Sequence, residues 1–195
     1  MNVAVNVAQA LMTRAKFAGL LVHDRRGNLT VELALAAPLL LVLLLTGIEF
    51  TRYVLVNQKV ERTSASLADL VALSPVITEG GMDGLFEAAQ YVMAPFDVTT
   101  DGRLIVTSVA SSGGPPRIRW QRTYGGRSDS SSFGLQGAIA NLPEGLVVRD
   151  GENIILCEAF FRYEPMVGQG IISESTVRRY AIFRPRFGSL DVIFP

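Results

Sequence analysis

The sequence holds a single cysteine, Cys157, and a single histidine, His23. One cysteine excludes an intramolecular disulfide, and one cysteine with one histidine excludes a Cys/His metal cluster. Cys157 lies in a β-rich run, where a packed and inert thiol is the expectation. His23 precedes the long apolar run, so no Ser-His-Asp triad can be assembled in the part of the chain that follows it. Net charge is missing too. Lys plus Arg number 18 and Asp plus Glu number 18, so bulk charge draws no nucleic acid to the chain. The Gly/Ser-rich stretch at 125–132 lacks the Gly-Lys-Ser/Thr ending of a phosphate-binding loop and reads as an exposed loop. These absences leave no cofactor or metal implied. The glutamates at positions 152, 158, 164 and 174 show no spacing that suggests acid/base chemistry, and the expectation for Glu152, Glu158, Glu164 and Glu174 is a solvated face.

What is present is apolar surface. Mean hydropathy is +0.31, high for a water-soluble chain of 195 residues, a length that allows one modest domain plus an anchor. Residues 33–48 carry no charge and are dominated by leucine. Extended to 28–54, the run is long enough for a helix to cross a hydrocarbon layer, which takes about 20 residues. Pro38 lies inside it and is tolerated in such helices. Arg14, Lys16, Arg25 and Arg26 precede the run against Asp24. That bias predicts a cytoplasmic N-terminus, with the rest of the chain across the membrane. A cleaved secretory signal has a shorter apolar core and a small-x-small site. Here the run is longer and ends in TGIEF. A twin-arginine signal is suggested only by Arg25-Arg26.

Glu32 stands at the mouth of this run. An ionised side chain at the centre of a membrane helix costs about 2.5–3.5 kcal/mol on insertion scales, and less near the edge. One reading leaves Glu32 at headgroup level, near a helix N-terminus that favours anions. The other starts from spacing. Gly27 is followed by Asn28, and Glu32 is the fifth residue after the glycine. A basic leader, a glycine, a glutamate five residues on and an apolar helix together resemble the prepilin peptidase site of the type IV pilin-like superfamily. The resemblance implies cleavage after Gly27, a new α-amine on Asn28, and Glu32 neutralising the amine of a neighbouring subunit. Met12 offers an alternative start to Met1, with a shorter leader.

The following residues, VELALAAP at 31–38, then Gly47 and Glu49, then an alanine- and serine-rich extension at 58–72, resemble the TadE-like family of tight adherence (Flp) pilus proteins. EAFFRYEP at 158–165 and YAIFRPR at 180–186 are similar to that family's last two strands. The family implies a prepilin peptidase, other pilin-like subunits and inner-membrane platform proteins as partners, beside membrane lipid.

Beyond the membrane run the residues are read on their own. Tyr53, Val56, Val60, Thr63, Leu67 and Leu70 recur at spacings of three and four. This stripe suits either a partner helix or the protein's own domain. Ser74-Pro75 ends the helix. Met82, Leu85, Phe86, Ala89 and Met93 predict a short amphipathic helix over 82–93. Strands are predicted at 104–109, 117–124, 154–163 and 176–183, the first two as a hairpin, and a helical turn at 133–141. Arg178, Arg179, Arg184 and Arg186 make the last strand basic, as a solvated face or as a surface for an acidic partner.

The fold expectation is therefore α+β and pilin-like, a long N-terminal transmembrane helix extending into a small domain with an antiparallel sheet. Its parts are a cytoplasmic leader at 1–27, the membrane helix at 28–54, a helical extension at 55–75 and an extracytoplasmic domain at 76–195. The functional expectation is a non-enzymatic pilin-like component of tight adherence pilus assembly in a bacterial inner membrane. The alternative is an uncleaved single-span protein whose external domain binds an envelope ligand or partner.

Overall fold

The computed structural model describes residues 26–166 and 173–195. Residues 1–25 of the leader, with His23, Arg25 and both candidate start methionines, lie outside the described residues. The chain divides into two compact units between Ile48 and Glu49, and each is described by itself.

Helix α1 spans Arg26–Leu73 and has Pro38 inside it. Its first part is apolar on every side. Leu29, Val31, Leu33, Leu35 and each residue of 39–44 are more than half exposed. A helix segment without a polar face and without burial is long and apolar enough to cross a membrane. Thr46, the hydroxyl in this stretch, donates to the Val42 carbonyl at 2.7 Å, so its polar group is satisfied within the helix.

From Glu49 onward the chain forms an α+β unit. Helix α2 spans Glu79–Met93, a single turn α3 spans Val98–Asp101, and four strands follow: β1 Gly102–Ala110, β2 Arg117–Tyr124, β3 Asn153–Tyr163 and β4 Ser175–Phe183. They form one sheet in the order β2-β1-β3-β4, antiparallel throughout. Val106 pairs with Cys157, and Cys157 with Ala181. A bulge between Ser108 and Val109 shifts the β1–β2 register.

The apolar stripe on the second half of α1 packs on its own domain. Val56, Val60, Leu67, Ala68 and Val71 join Met82, Phe86, Ala89 and Met93 of α2 against Leu104, Val106, Trp120, Ile155, Cys157, Ala159, Phe161 and Val177 of the sheet. Thr63 is fully buried in this seam, whereas Leu70 is 43% exposed and falls outside it. The opposite face of the sheet is covered by the long β2–β3 connection, through Phe133, Ala140 and Val148 on Val109, Ile118, Ile154 and Leu156. With both faces covered, β3 becomes an almost continuous apolar strand.

The predicted strands are observed, β2 with the predicted bounds and the other three with one or two extra residues at an end. The helical turn expected at 133–141 is not a helix. The segment forms hydrogen-bonded turns and an antiparallel bridge from Ile139 to Arg117, because it is pinned to the sheet edge by bonds from Ile118 N to Ala138 O and from Ala140 N to Pro116 O. The Gly125-Gly126 pair in the Gly/Ser-rich loop has a steric role. A Cβ on Gly126 would lie 2.1 Å from the Thr99 carbonyl oxygen, so the loop closes on α3 only without side chains there.

The C-terminal segment returns to the start of the domain. The Arg186 amide donates to the Ala72 carbonyl at 3.0 Å and so satisfies an open acceptor at the end of α1. The Leu190 carbonyl accepts from Trp120 Nε1 at 2.8 Å and Ser108 Oγ at 2.7 Å. Phe194 exchanges backbone bonds with Ile77 and Glu79. Thr78 caps α2 by accepting from the Gly81 amide. Glu79 in its first turn pairs with Arg122 of β2, at 2.8 Å from Nε, which holds its carboxyl below the ordinary glutamate value.

The seam distinguishes two neighbouring leucines. Leu67→Ala should cost about 2–5 kcal/mol of stability through lost burial and a residual cavity. Leu70→Ala should cost less than about 1 kcal/mol. Urea unfolding of the two variants in the same detergent checks the difference.

Candidate functional site: processing segment, apolar helix and two buried carboxylates

Gly27 and Asn28 lie in the first turn of α1. Glycine is the residue whose helical state costs most among those without a ring, about 1 kcal/mol against alanine, so this turn is the less firmly held. Glu32 is exposed on the second turn. That position is beyond the reach of the macrodipole of a helix beginning at Arg26, which fades within the first turn. Asn28 and Glu32 stand four residues apart on this helix, about 6 Å along the axis. Pro38 and Gly47 are exposed, and a Cβ on Gly47 would meet nothing within 4 Å.

Glu49 behaves differently from the rest of the apolar run. It is 1% exposed. Its carboxylate accepts from the Tyr163 hydroxyl and, at 3.1 Å, from the Met166 amide. The Tyr163 hydroxyl also lies 3.2 Å from the Glu49 carbonyl oxygen. Tyr53 packs edge-on to the Tyr163 ring at 5.1 Å, and the Arg52 guanidinium sits 5.9 Å from its centroid. Glu49 is therefore fastened to the end of β3, 114 residues away in sequence. Burial, then the hydrogen bond to Glu49 and its charge, push the Tyr163 hydroxyl up to about 12.

The second buried carboxylate corrects the expectation of a solvated glutamate face. Glu158 is 1% exposed. It pairs with Arg178 at 2.7 Å, accepts from the Ser132 amide at 3.1 Å and accepts from the Ser131 hydroxyl. The Arg178 guanidinium lies between 5.5 and 5.8 Å from the ring centroids of Phe133, Phe160 and Tyr180. Glu158 faces the connection-covered side of the central strand, so water cannot reach it and an arginine has to. Glu152 and Glu174 are also drawn into ion pairs, with Arg184 at 3.4 Å and Arg162 at 4.0 Å.

The four arginines of the basic C-terminal stretch are not brought together into one patch. Arg178 is held by Glu158, Arg184 lies near Glu152, and Arg186 pairs with Asp69 at 2.9 Å. Arg179 differs, since its hydrogen bonds go to Asn57 Oδ1 and the Arg178 carbonyl, not to a carboxylate. Cys157 is fully buried, and burial pushes its thiol well above the ordinary range, as expected for an inert packed residue. Among the described residues no group of three His, Cys, Asp or Glu could hold a metal ion.

Against known proteins, the family model described as TadE-like protein matches residues 27–69. The matched segment begins at Gly27, takes in the apolar run and Glu49, and ends within the part of α1 that packs on the sheet. No curated protein and no solved structure matches the chain.

Two outcomes test the buried groups. The folded state holds the Tyr163 proton more tightly than the unfolded chain does, since the folded value is about 12 against 10. Its contribution is complete below pH 10 and is lost as pH rises through about 12. Urea midpoints should fall between about pH 9 and about pH 11, and Tyr163→Phe should flatten that fall. Arg178→Ala strands Glu158 in the interior and should cost about 3–5 kcal/mol. Arg179→Ala on the exposed neighbour should cost less than about 1 kcal/mol. Chemical unfolding of both variants at neutral pH separates them.

Proposed function

We propose that the protein is a minor pilin-like component of tight adherence pilus assembly, anchored in the bacterial inner membrane by α1, with its N-terminus cytoplasmic and its sheet domain periplasmic. A prepilin peptidase cuts after Gly27. Asn28 then carries the new α-amine, and Glu32 neutralises the amine of a neighbouring pilin-like subunit within the membrane. Each of those charges alone is costly in a low-dielectric layer, and pairing lowers the cost of both. The protein acts by packing its apolar helix with other pilin-like subunits and by contacts with platform proteins, not by catalysis.

The observation that carries this reading is the coincidence of two independent features on one segment. The TadE-like match begins at Gly27, and the helix that follows is exposed and apolar around its whole circumference up to Ile48. An amphipathic or buried helix would suit a water-soluble role, and this one is neither. The family itself supports a tight adherence pilus context.

The test is the N-terminal sequence and intact mass of the chain expressed with and without an active prepilin peptidase. The expected mature chain begins at Asn28, and Gly27→Leu should leave the leader attached. Glu32→Gln should leave cleavage intact and impair assembly. A leader that stays attached beside its own active peptidase would point to the other reading, an uncleaved anchor whose external domain binds an envelope ligand.

A further inference from the structure

The two edges of the sheet are treated differently. On β2, the outer edge is closed at Arg117 and Ile118 by residues 137–140, through Ile118 N to Ala138 O, Gly137 N to Ile118 O and the bridge to Ile139, while among the described residues no backbone bond reaches the outer side of 119–124. On β4, all nine residues pair with β3 on one side. Among the described residues, no backbone bond reaches the other side of 175–183. The outer edge of β4 therefore presents alternate amides and carbonyls over about 30 Å, a template for another strand, although the Arg178 carbonyl at its centre already accepts from the Arg179 guanidinium at 2.9 Å. Its centre, Arg179 and Tyr180, is exposed.

We infer that the free edge of β4 is a docking site that accepts an extended, acidic segment of a partner protein as a fifth strand of the sheet. Main-chain bonds to β4 supply the affinity, and Arg179 selects the sign of charge. Among the described residues, Arg179 is the arginine of this stretch without a carboxylate partner, its guanidinium donating to Asn57 Oδ1 and the Arg178 carbonyl. The other three are engaged by Glu158, Glu152 and Asp69. On an added strand, the residue opposite Arg179 has its Cβ about 5 Å away on the same face, so a glutamate there reaches the guanidinium. A second copy of this chain is a poorer occupant. Antiparallel pairing of two β4 strands about their exposed centre sets Arg179 against its own counterpart, and like charges directly opposite are unfavourable. The same arginine that disfavours self-pairing therefore favours an acidic strand. The inference rests on the sheet alone and stands whether or not the chain is cut after Gly27.

The experiment uses the full chain in detergent micelles and follows amide hydrogen exchange of residues 175–183. The probe is a synthetic peptide of alternating valine and glutamate, matched to the nine residues of β4. Exchange at alternate β4 amides should slow about tenfold with this peptide. It should be unchanged with the valine–lysine peptide, and unchanged with a valine–glutamate peptide N-methylated at alternate amides, which cannot form the ladder. Arg179→Glu should reverse the preference toward the lysine peptide. No slowing with the acidic peptide, equal slowing with the N-methylated one, or indifference to Arg179→Glu would overturn the proposal. Slowing that grows with chain concentration and needs no peptide would assign the edge to a second copy and overturn it as well.

Discussion

One helix has to satisfy two kinds of surroundings, and the rest of the molecule is arranged around that constraint. Residues 29–48 of α1 expose leucine in every direction, which water disfavours and hydrocarbon does not. From Val56 to Val71 the same helix buries one stripe against its own sheet and turns the other to solvent. The division falls between Ile48 and Glu49. Glu49 is the first residue of the folded domain and one of its most deeply buried. A carboxylate at that point is favoured only with donors close by, and β3 supplies them through the Tyr163 hydroxyl and the Met166 amide. The pairing ties the start of the helical extension to the end of the central strand, so the strand and the helix cannot slide past each other without stranding a buried charge.

The sheet repeats this logic on its other face. Glu158 interrupts an apolar series, Ile154, Leu156 and Phe160, on the side covered by the β2–β3 connection. A hydrophobic residue there would pack without penalty. The glutamate instead requires Arg178 and fixes Ser131 and Ser132 of the connection. Both buried carboxylates thus join segments far apart in sequence. Each is a place where a single substitution leaves an unpaired group behind, which costs more than the pair contributes. The connection itself needs that anchorage, since its path between β2 and β3 contains no helix or strand of its own.

Local patterns in the sequence were enough for the four strands, α2 and the end of α1, because period and breakers are local signals, but not for 133–141, where turns held by the sheet edge replace the expected helical turn. The β-branched and aromatic runs mark the four strands, the apolar spacing marks α2, and Ser74-Pro75 marks the end of α1. The helical seam was legible as a stripe but not in its destination, since a stripe of two to three heptads suits a partner or a sheet equally. Leu70 fits the spacing and is left outside because it turns away from the face on which Leu67, Ala68, Val71 and Ala72 are buried. Glu49 was visible as a charge at the end of an apolar run, yet its partner Tyr163 was not, because a hydrogen bond across 114 residues leaves no mark in either neighbourhood. Glu158 did leave one. NIILCEAFF is apolar on both alternating sets, the signature of a strand covered on both faces, and a lone glutamate in such a strand has to be paired. The return of the C-terminal segment to α1 and Trp120 had no local signal at all.

The same reasoning explains why the recognisable segment is the helix and not the sheet domain. Residues 27–69 match a family model, and they answer to several demands at once. The middle is apolar and exposed up to Ile48, and the last part buries small and branched residues on one stripe only. The sheet domain answers to looser demands. It must bury one face against α1 and the other against the connection, and many combinations of valine, isoleucine, leucine and phenylalanine fill such a core at native density. Its edges are less constrained still, and they face outward. Among the described residues, the outer edge of β4 has no backbone partner and Arg179 on it has no carboxylate partner.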